Sequence, residues 1–218
     1  MAERHDQHDR HDHHHPPAAA GQLGIPQTGP FDPAAFEAAV EALLRACGIA
    51  PGGAHTGLTA RRVRELWQRR LLGGYQMDAA AVLGDGFADP RADMVTIRGI
   101  AVHGVCPHHL VPFRGVAHVA YIPGGRLHGF GRIARLVDAI GHRFTYQEWM
   151  TRDIAEALVA HGKARGAACV IEAEQLCLLL GEDRRGDERV RTQAFAGCFE
   201  DAPELRQEFL RAIGAGHL

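Results

Sequence analysis

The sequence predicts an α+β fold, with helices laid on one face of an antiparallel sheet. Two observations lead there. Segments 94–103 and 116–122 are apolar and β-rich, and segments 168–180 and 190–199 repeat the pattern further on. Between these pairs, Ile133, Leu136, Val137 and Ile140 have helical spacing, and a longer helix is expected from about Tyr146 to Lys163. Two hairpins separated by a helical pair are the pattern of helices segregated to one side of an antiparallel sheet.

The elements follow in order. Residues 1–30 stand apart in composition: His5, His8, His11, His13, His14 and His15 interleave with Asp6, Asp9 and Asp12, followed by Pro16-Pro17 and three alanines. Such a stretch buries no core and is expected to be disordered. It reads either as a solvated tail or as a loose holder of zinc or nickel. Helical structure is expected from Phe31, with Asp32 as N-cap, Pro33 at the first helical position and Phe31 stapled to Phe36. Phe36, Val40, Leu43, Leu44 and Cys47 make one apolar face, and Gly48 ends the helix. A second helix is expected from Thr59 to about Leu72, with Val63, Leu66, Trp67 and Leu71 inward. Gly84, Asp85-Gly86 and Asp89-Pro90 mark 73–92 as a loop, and Pro123-Gly124-Gly125 is a turn between elements. A short helix over about 203–213 closes the chain. The division is therefore a His/Asp-rich tail at 1–30, a helical region with a loop at 31–92, and a sheet-bearing catalytic domain at 93–218.

Composition narrows the function. With 46% hydrophobic and 23% charged residues the chain is of ordinary soluble type, and a net charge of -2 argues against a general nucleic-acid or membrane surface. No apolar run approaches the roughly 20 residues of a membrane span, and the N-terminus lacks the apolar core of a secretory signal. Five scattered cysteines fit a reducing cytoplasm, where thiols serve as metal ligands or small core residues.

The chemistry begins at Cys106-Pro107-His108-His109. The C-x-x-H spacing lets one tight turn aim a thiolate and an imidazole at a single point. Cys177, on a distant strand, would complete a Cys2His set, and three protein ligands leave a tetrahedral zinc one open position for water. The alternative is that Cys106 and Cys177 are small buried residues and the histidines satisfied core groups. Cys47, Cys169 and Cys198 lie in apolar patterns and read as core. His108, between the two ligands, is placed to act as general acid or base, or is a surface histidine.

Two further groups stand out. Gln147-Glu148 pairs an amide with a carboxylate able to accept from a guanine N1–H and 2-amino group. Thr145-Tyr146-Gln147-Glu148 is also a T-x-x-E capping box, and on the residues alone the cap is favoured. Arg132 and Arg135 lie one turn apart on one helix and Arg62 on another; such forks suit phosphates, or form a solvated face.

Taken together, these residues resemble the GTP cyclohydrolase I family. The resemblance runs from about Thr59 to Ile213 and is carried by Cys106-Pro107-His108-His109, Ala120-Tyr121-Ile122-Pro123, Gln147-Glu148 and Cys177. It implies a tunnelling fold, in which each subunit's four-stranded antiparallel sheet is backed by two helices. Five subunits close a barrel, two rings stack into a homodecamer, and sites lie between subunits. It also implies zinc at Cys106, His109 and Cys177, a guanine anchor at Glu148 with Gln147 beside it, and triphosphate contacts from Arg62, Arg132 and Arg135. The activity that the resemblance implies is hydrolysis of GTP at C8, with zinc supplying activation of the water, loss of formate, and ribose rearrangement and ring closure to dihydroneopterin triphosphate. His108 matches a proton-transfer histidine.

Three positions depart from the family pattern. Gln175 replaces a catalytic histidine, Gly181 a phosphate-binding arginine, and Gly131 a serine used in the ribose steps. Arg184, Arg185, Arg189 and Arg191 follow closely and offer compensation at the phosphate. Three functions remain open: a complete GTP cyclohydrolase I, a related zinc hydrolase that stops at a formamidopyrimidine or takes another purine, and a non-catalytic purine-binding paralogue. Glutamine holds a water but does not shuttle a proton near neutral pH. Gln175→His is expected to raise turnover of GTP where ring opening limits the rate; an unchanged kcat in an enzyme whose chemical step is slow would contradict this role.

Overall fold

A computed structural model describes residues 23–181 and 188–214. The histidine cluster of the tail and Arg184 and Arg185 lie outside these residues. Helix α1 spans Pro33–Ala46, capped by Asp32, whose carboxylate accepts from the N–H groups of Ala34 and Ala35. Phe31 and Phe36 pack with ring centroids 5.2 Å apart, as the staple requires. Helix α2 spans Thr59–Leu66 and continues as a π-helical turn over Trp67–Leu71.

The segment expected as a loop is partly ordered. A 3-10 turn covers Gly73–Gln76, and α3 (Ala79–Leu83) is capped by Asp78 and buries Ala79, Val82 and Leu83. Its apolar run is too short to register as helical periodicity, and only packing against a later helix stabilises it. Strand β1 (Phe87–Ala88) then pairs with β4 (Arg126–Leu127).

The main sheet has four antiparallel strands in the order β2-β3-β5-β6: β2 is Val95–Val105, β3 Pro112–Ile122, β5 Gly166–Gln175 and β6 Val190–Gly197. The register slips between Ile97 and Ile100, where Gly99 takes φ +71 at a bulge. Helices α4 (Phe130–Gly141) and α5 (Gln147–Ala160) lie on one face. Alternation is strict: Ala117, Val119 and Tyr121 of β3 and Ala167, Cys169 and Ile171 of β5 join Leu136, Ile140, Ile154 and Leu158 in the larger core. Ala120, Ile122, Ala168 and Val170 point the other way. There they meet Phe199 of α7 (Cys198–Asp201) and Phe209 of α8 (Pro203–Gly214). The closing helix thus covers part of the second face, where helices on one face alone were expected.

Three burial expectations fail. Cys47 is exposed, and Leu43 and Leu66 are 64% and 51% exposed. The apolar faces of α1 and α2 pack on one another without reaching the main core. Among the described residues no helix is long and apolar enough to cross a membrane.

At the seam of α4 and β2, the rings of His103 and His142 stack with centroids 3.9 Å apart. Burial, then the charges of His103 and Arg70, lowers the His142 pKa to about 4. The folded chain therefore binds fewer protons here than the unfolded chain between pH 6.5 and about 4. Stability from this group is fully present above pH 6.5 and is lost as pH falls through that window. Urea midpoints measured across the window should fall less steeply in His142→Gln than in the parent; identical slopes would remove His142 from the account.

Candidate active site

Strand β2 ends at Val105, and the chain reverses through 106–111 before β3. Cys106 N–H donates to the Val111 carbonyl at 3.0 Å and Leu110 N–H to the Cys106 carbonyl at 2.9 Å, with Leu110 at φ 56. Gly104 allows this turn to seat against the core, because a Cβ there would lie 2.5 Å from the Phe113 ring. The turn presents a buried Cys106 beside exposed His108 and His109.

The third donor arrives differently from expectation. Strand β5 stops at Gln175, and Cys177 sits in α6, a single helical turn over Leu176–Leu179. The apolar run 176–180 hides this break from periodicity, since a short apolar run reads as strand or helix alike. The turn brings Cys177 Sγ toward the β2–β3 connection. One donor atom from each of Cys106, His109 and Cys177 lies within 4.8 Å of the other two, and Cys106 Sγ is 3.7 Å from His109 Nδ1. In a tetrahedral centre with bonds of about 2.3 Å to sulfur and 2.0 Å to nitrogen, ligand atoms are roughly 3.5–3.8 Å apart. The donor set and its spacing therefore fit a borderline-soft dication. Burial, followed by the adjacent Cys106 sulfur, raises the Cys177 pKa.

Gln147 opens α5 and is 3% exposed. Its Nε2 donates toward the carbonyls of Ile171 (3.1 Å) and Val190 (2.9 Å) and the Thr192 hydroxyl (3.2 Å), and its Oε1 accepts from Gln175 Nε2 at 2.6 Å. Thr151 extends the network, donating to the Gln147 carbonyl and lying 2.6 Å from Thr192 Oγ1. The helix is tied to β5 and β6 through these bonds. The capping box does not form: the N-cap is Tyr146, no side chain caps the helix, and Thr145 Oγ1 donates to the Tyr146 carbonyl instead. Glu148 is exposed in the first turn, where a carboxylate is favoured by the helix dipole.

Glu148 lines a cleft of about 1350 Å³ together with Arg143, Arg152 and Asp153; Cys106, His109 and Cys177 are not among its lining residues. Tyr146 lies between the two regions. Its hydroxyl is 3.1 Å from His108 Nε2. Burial raises its pKa, with the charges of Cys106 and Glu148 adding to the rise. The sequence offered Tyr146 only as a member of the capping box; its adjacency to Gln147-Glu148 was the available signal.

The arginines lie elsewhere. Arg132 donates to the carbonyls of Val82 (3.0 Å) and Ala81 (3.5 Å) from the first turn of α4. Just past the far end of that helix, the Arg143 carbonyl accepts from Val105 N–H beside the 106–111 turn. About 13 Å of helix separates Arg132 from Gly141 at that end. Arg135 and Arg62 are exposed on α4 and α2. Arg189 and Arg191 form ion pairs with Glu174 and Glu172 on the sheet, and a Cβ at Gly131 would meet nothing within 4 Å.

Metal analysis of the purified chain should find about one dication per chain, reduced well below that by Cys106→Ser or by Cys177→Ser. Retained stoichiometry in both variants would show that the metal binds elsewhere.

Comparison with known proteins agrees with this geometry. The family model for GTP cyclohydrolase I matches residues 36–214. The GTP cyclohydrolase 1 of Ralstonia nicotianae is 68% identical over 198 residues, covering 91% of this chain and 95% of that protein. Its counterpart from Chromobacterium violaceum is 69% identical over 195 residues, covering 89% and 95%. That of Mycobacteroides abscessus is 39% identical over 196 residues, covering 89% and 96%. With a family match across most of its length and relatives at this identity, the chain belongs to the GTP cyclohydrolase I family.

Proposed function

We propose that this protein is a zinc-dependent GTP cyclohydrolase I, a hydrolase that converts GTP and water to formate and dihydroneopterin triphosphate. The observation that carries the reading is the convergence of Cys106, His109 and Cys177 from two separate connections, in a chain of this family. Zinc held there supplies Lewis-acid chemistry that makes water nucleophilic near neutral pH.

The chain's own residues do the rest. Glu148 anchors the guanine by accepting from N1–H and the 2-amino group. Gln147 positions Glu148 by fixing the first turn of α5 to β5 and β6. His108 moves protons to and from the opening imidazole ring. Gln175, donating to Gln147, steadies that turn. Arg62, Arg132 and Arg135 serve the triphosphate. They lie on α2 and on the part of α4 remote from the metal turn, which suits a site completed by a neighbouring subunit. Exposed Leu43, Leu58 and Leu66 on and beside α1 and α2 supply apolar surface for such a homo-oligomer, a decamer of two pentamers in a tunnelling-fold arrangement. The assembly works in the cytoplasm, in keeping with five unpaired thiols.

A second reading is favoured by one observation. The carboxamide of Gln175 is engaged with Gln147 and exchanges no proton, so ring opening that stops at a formamidopyrimidine also suits the site. Incubation of the zinc-loaded protein with GTP, followed by ultraviolet spectra and mass spectrometry, separates the two. Dihydroneopterin triphosphate with formate is the expected result. An accumulating formamidopyrimidine would establish the early stop, and untouched GTP would overturn both.

A further inference from the structure

Tyr146 stands where the parts of the site meet. Its hydroxyl is 3.1 Å from His108 Nε2, with ring centroids 5.3 Å apart. It is the N-cap residue of α5 and immediately precedes Gln147 and Glu148. Its backbone is held on both sides: Thr145 N–H donates to the Val105 carbonyl at 3.1 Å, and Met150 N–H to the Tyr146 carbonyl at 3.0 Å. Its ring packs edge-on against Trp149, with centroids 4.7 Å apart at 79°. A phenol fixed in this way has its hydroxyl in place before substrate arrives. His108 sits exposed in the turn that carries the metal-type donors, and an exposed side chain is costly to hold in one rotamer unless something grips it.

We infer that the Tyr146 hydroxyl is a positioning residue for proton transfer, holding His108 by Nε2 and fixing the orientation of its ring toward the reacting purine. A phenol both donates and accepts, and an imidazole nitrogen does either according to its proton. The contact fixes the orientation of the His108 ring, because one end of the imidazole meets a phenol that is itself packed against Trp149. Preorganisation of this kind removes a reorientation from the chemical step without altering how GTP binds. This inference rests on His108 being the proton-transfer residue of the proposed activity.

Tyr146→Phe keeps the ring and its contact with Trp149 and removes only the hydroxyl. In the zinc-loaded protein it should lower kcat for GTP about tenfold while leaving KM within about twofold. It should also shift the ring ¹⁵N resonances of His108. His108→Ala is the control for the underlying assignment. If His108→Ala turns GTP over as fast as the parent, the role of His108 fails and the inference falls with it. If His108→Ala is impaired but Tyr146→Phe keeps the parent's kcat, the inference alone is overturned. A fall in kcat with unchanged His108 resonances also overturns it, because the hydroxyl would then act elsewhere.

Discussion

The carboxamide of Gln147 is the joint on which the site depends. Two hydrogens on Nε2 are shared among two strand carbonyls and a threonine hydroxyl, and Oε1 accepts from Gln175. These contacts join the start of α5 to the end of β5 and the beginning of β6. The segments on either side carry Glu148 in one direction and, past Gln175, Cys177 in the other. Without this amide, buried polar groups would be left without partners at a cost of about 1–3 kcal/mol each. The first turn of the helix would no longer be fixed relative to the strand that leads to Cys177.

A second constraint acts from the opposite side of the site. The turn after β2 must reverse within a few residues and still point a thiol and an imidazole at one place. It does so with a left-handed residue at Leu110 and with a glycine at 104, whose missing Cβ leaves room for Phe113. Phe113 pairs in register with Gln175 across β3 and β5. The packing that seats the turn and the hydrogen bond that steadies α5 therefore meet at one rung of the sheet. The metal-type donors sit together at one end of the sheet, in the connection between β2 and β3 and just past the end of β5.

The arrangement also explains the distribution of the basic residues. Arg132 is tied to the carbonyls at the end of α3, while Arg189 and Arg191 are occupied by Glu174 and Glu172 on the sheet. Exposed ion pairs of this kind contribute little to stability. Most of α4 lies between Arg132 and the turn that carries Cys106 and His109, so these groups do not share one cleft.

Much of this was legible in the sequence, for physical reasons. Apolar, β-rich composition marked segments 116–122 and 168–180 as strands; Asp32, Pro33 and Phe36 marked the start of α1 through local hydrogen bonding and stapling. The C-x-x-H turn is a local geometry, and local geometry survives in residue spacing. What depended on contacts between distant segments was not legible. Cys177 looked like part of a strand because an apolar run carries no period of its own, and only the meeting with the 106–111 turn shows the helical break. The capping box around Thr145 matched its motif but does not form where Phe144 bridges to Val105 and Thr145 N–H donates to the Val105 carbonyl. The carboxamide of Gln147 could face a ligand or the protein, and the carbonyls of Ile171 and Val190, far away in the chain, decided the matter. The sequence alone therefore determined the types and spacing of the functional groups, while the tertiary structure decided which of them touch, since contact between remote residues is set by packing and not by spacing.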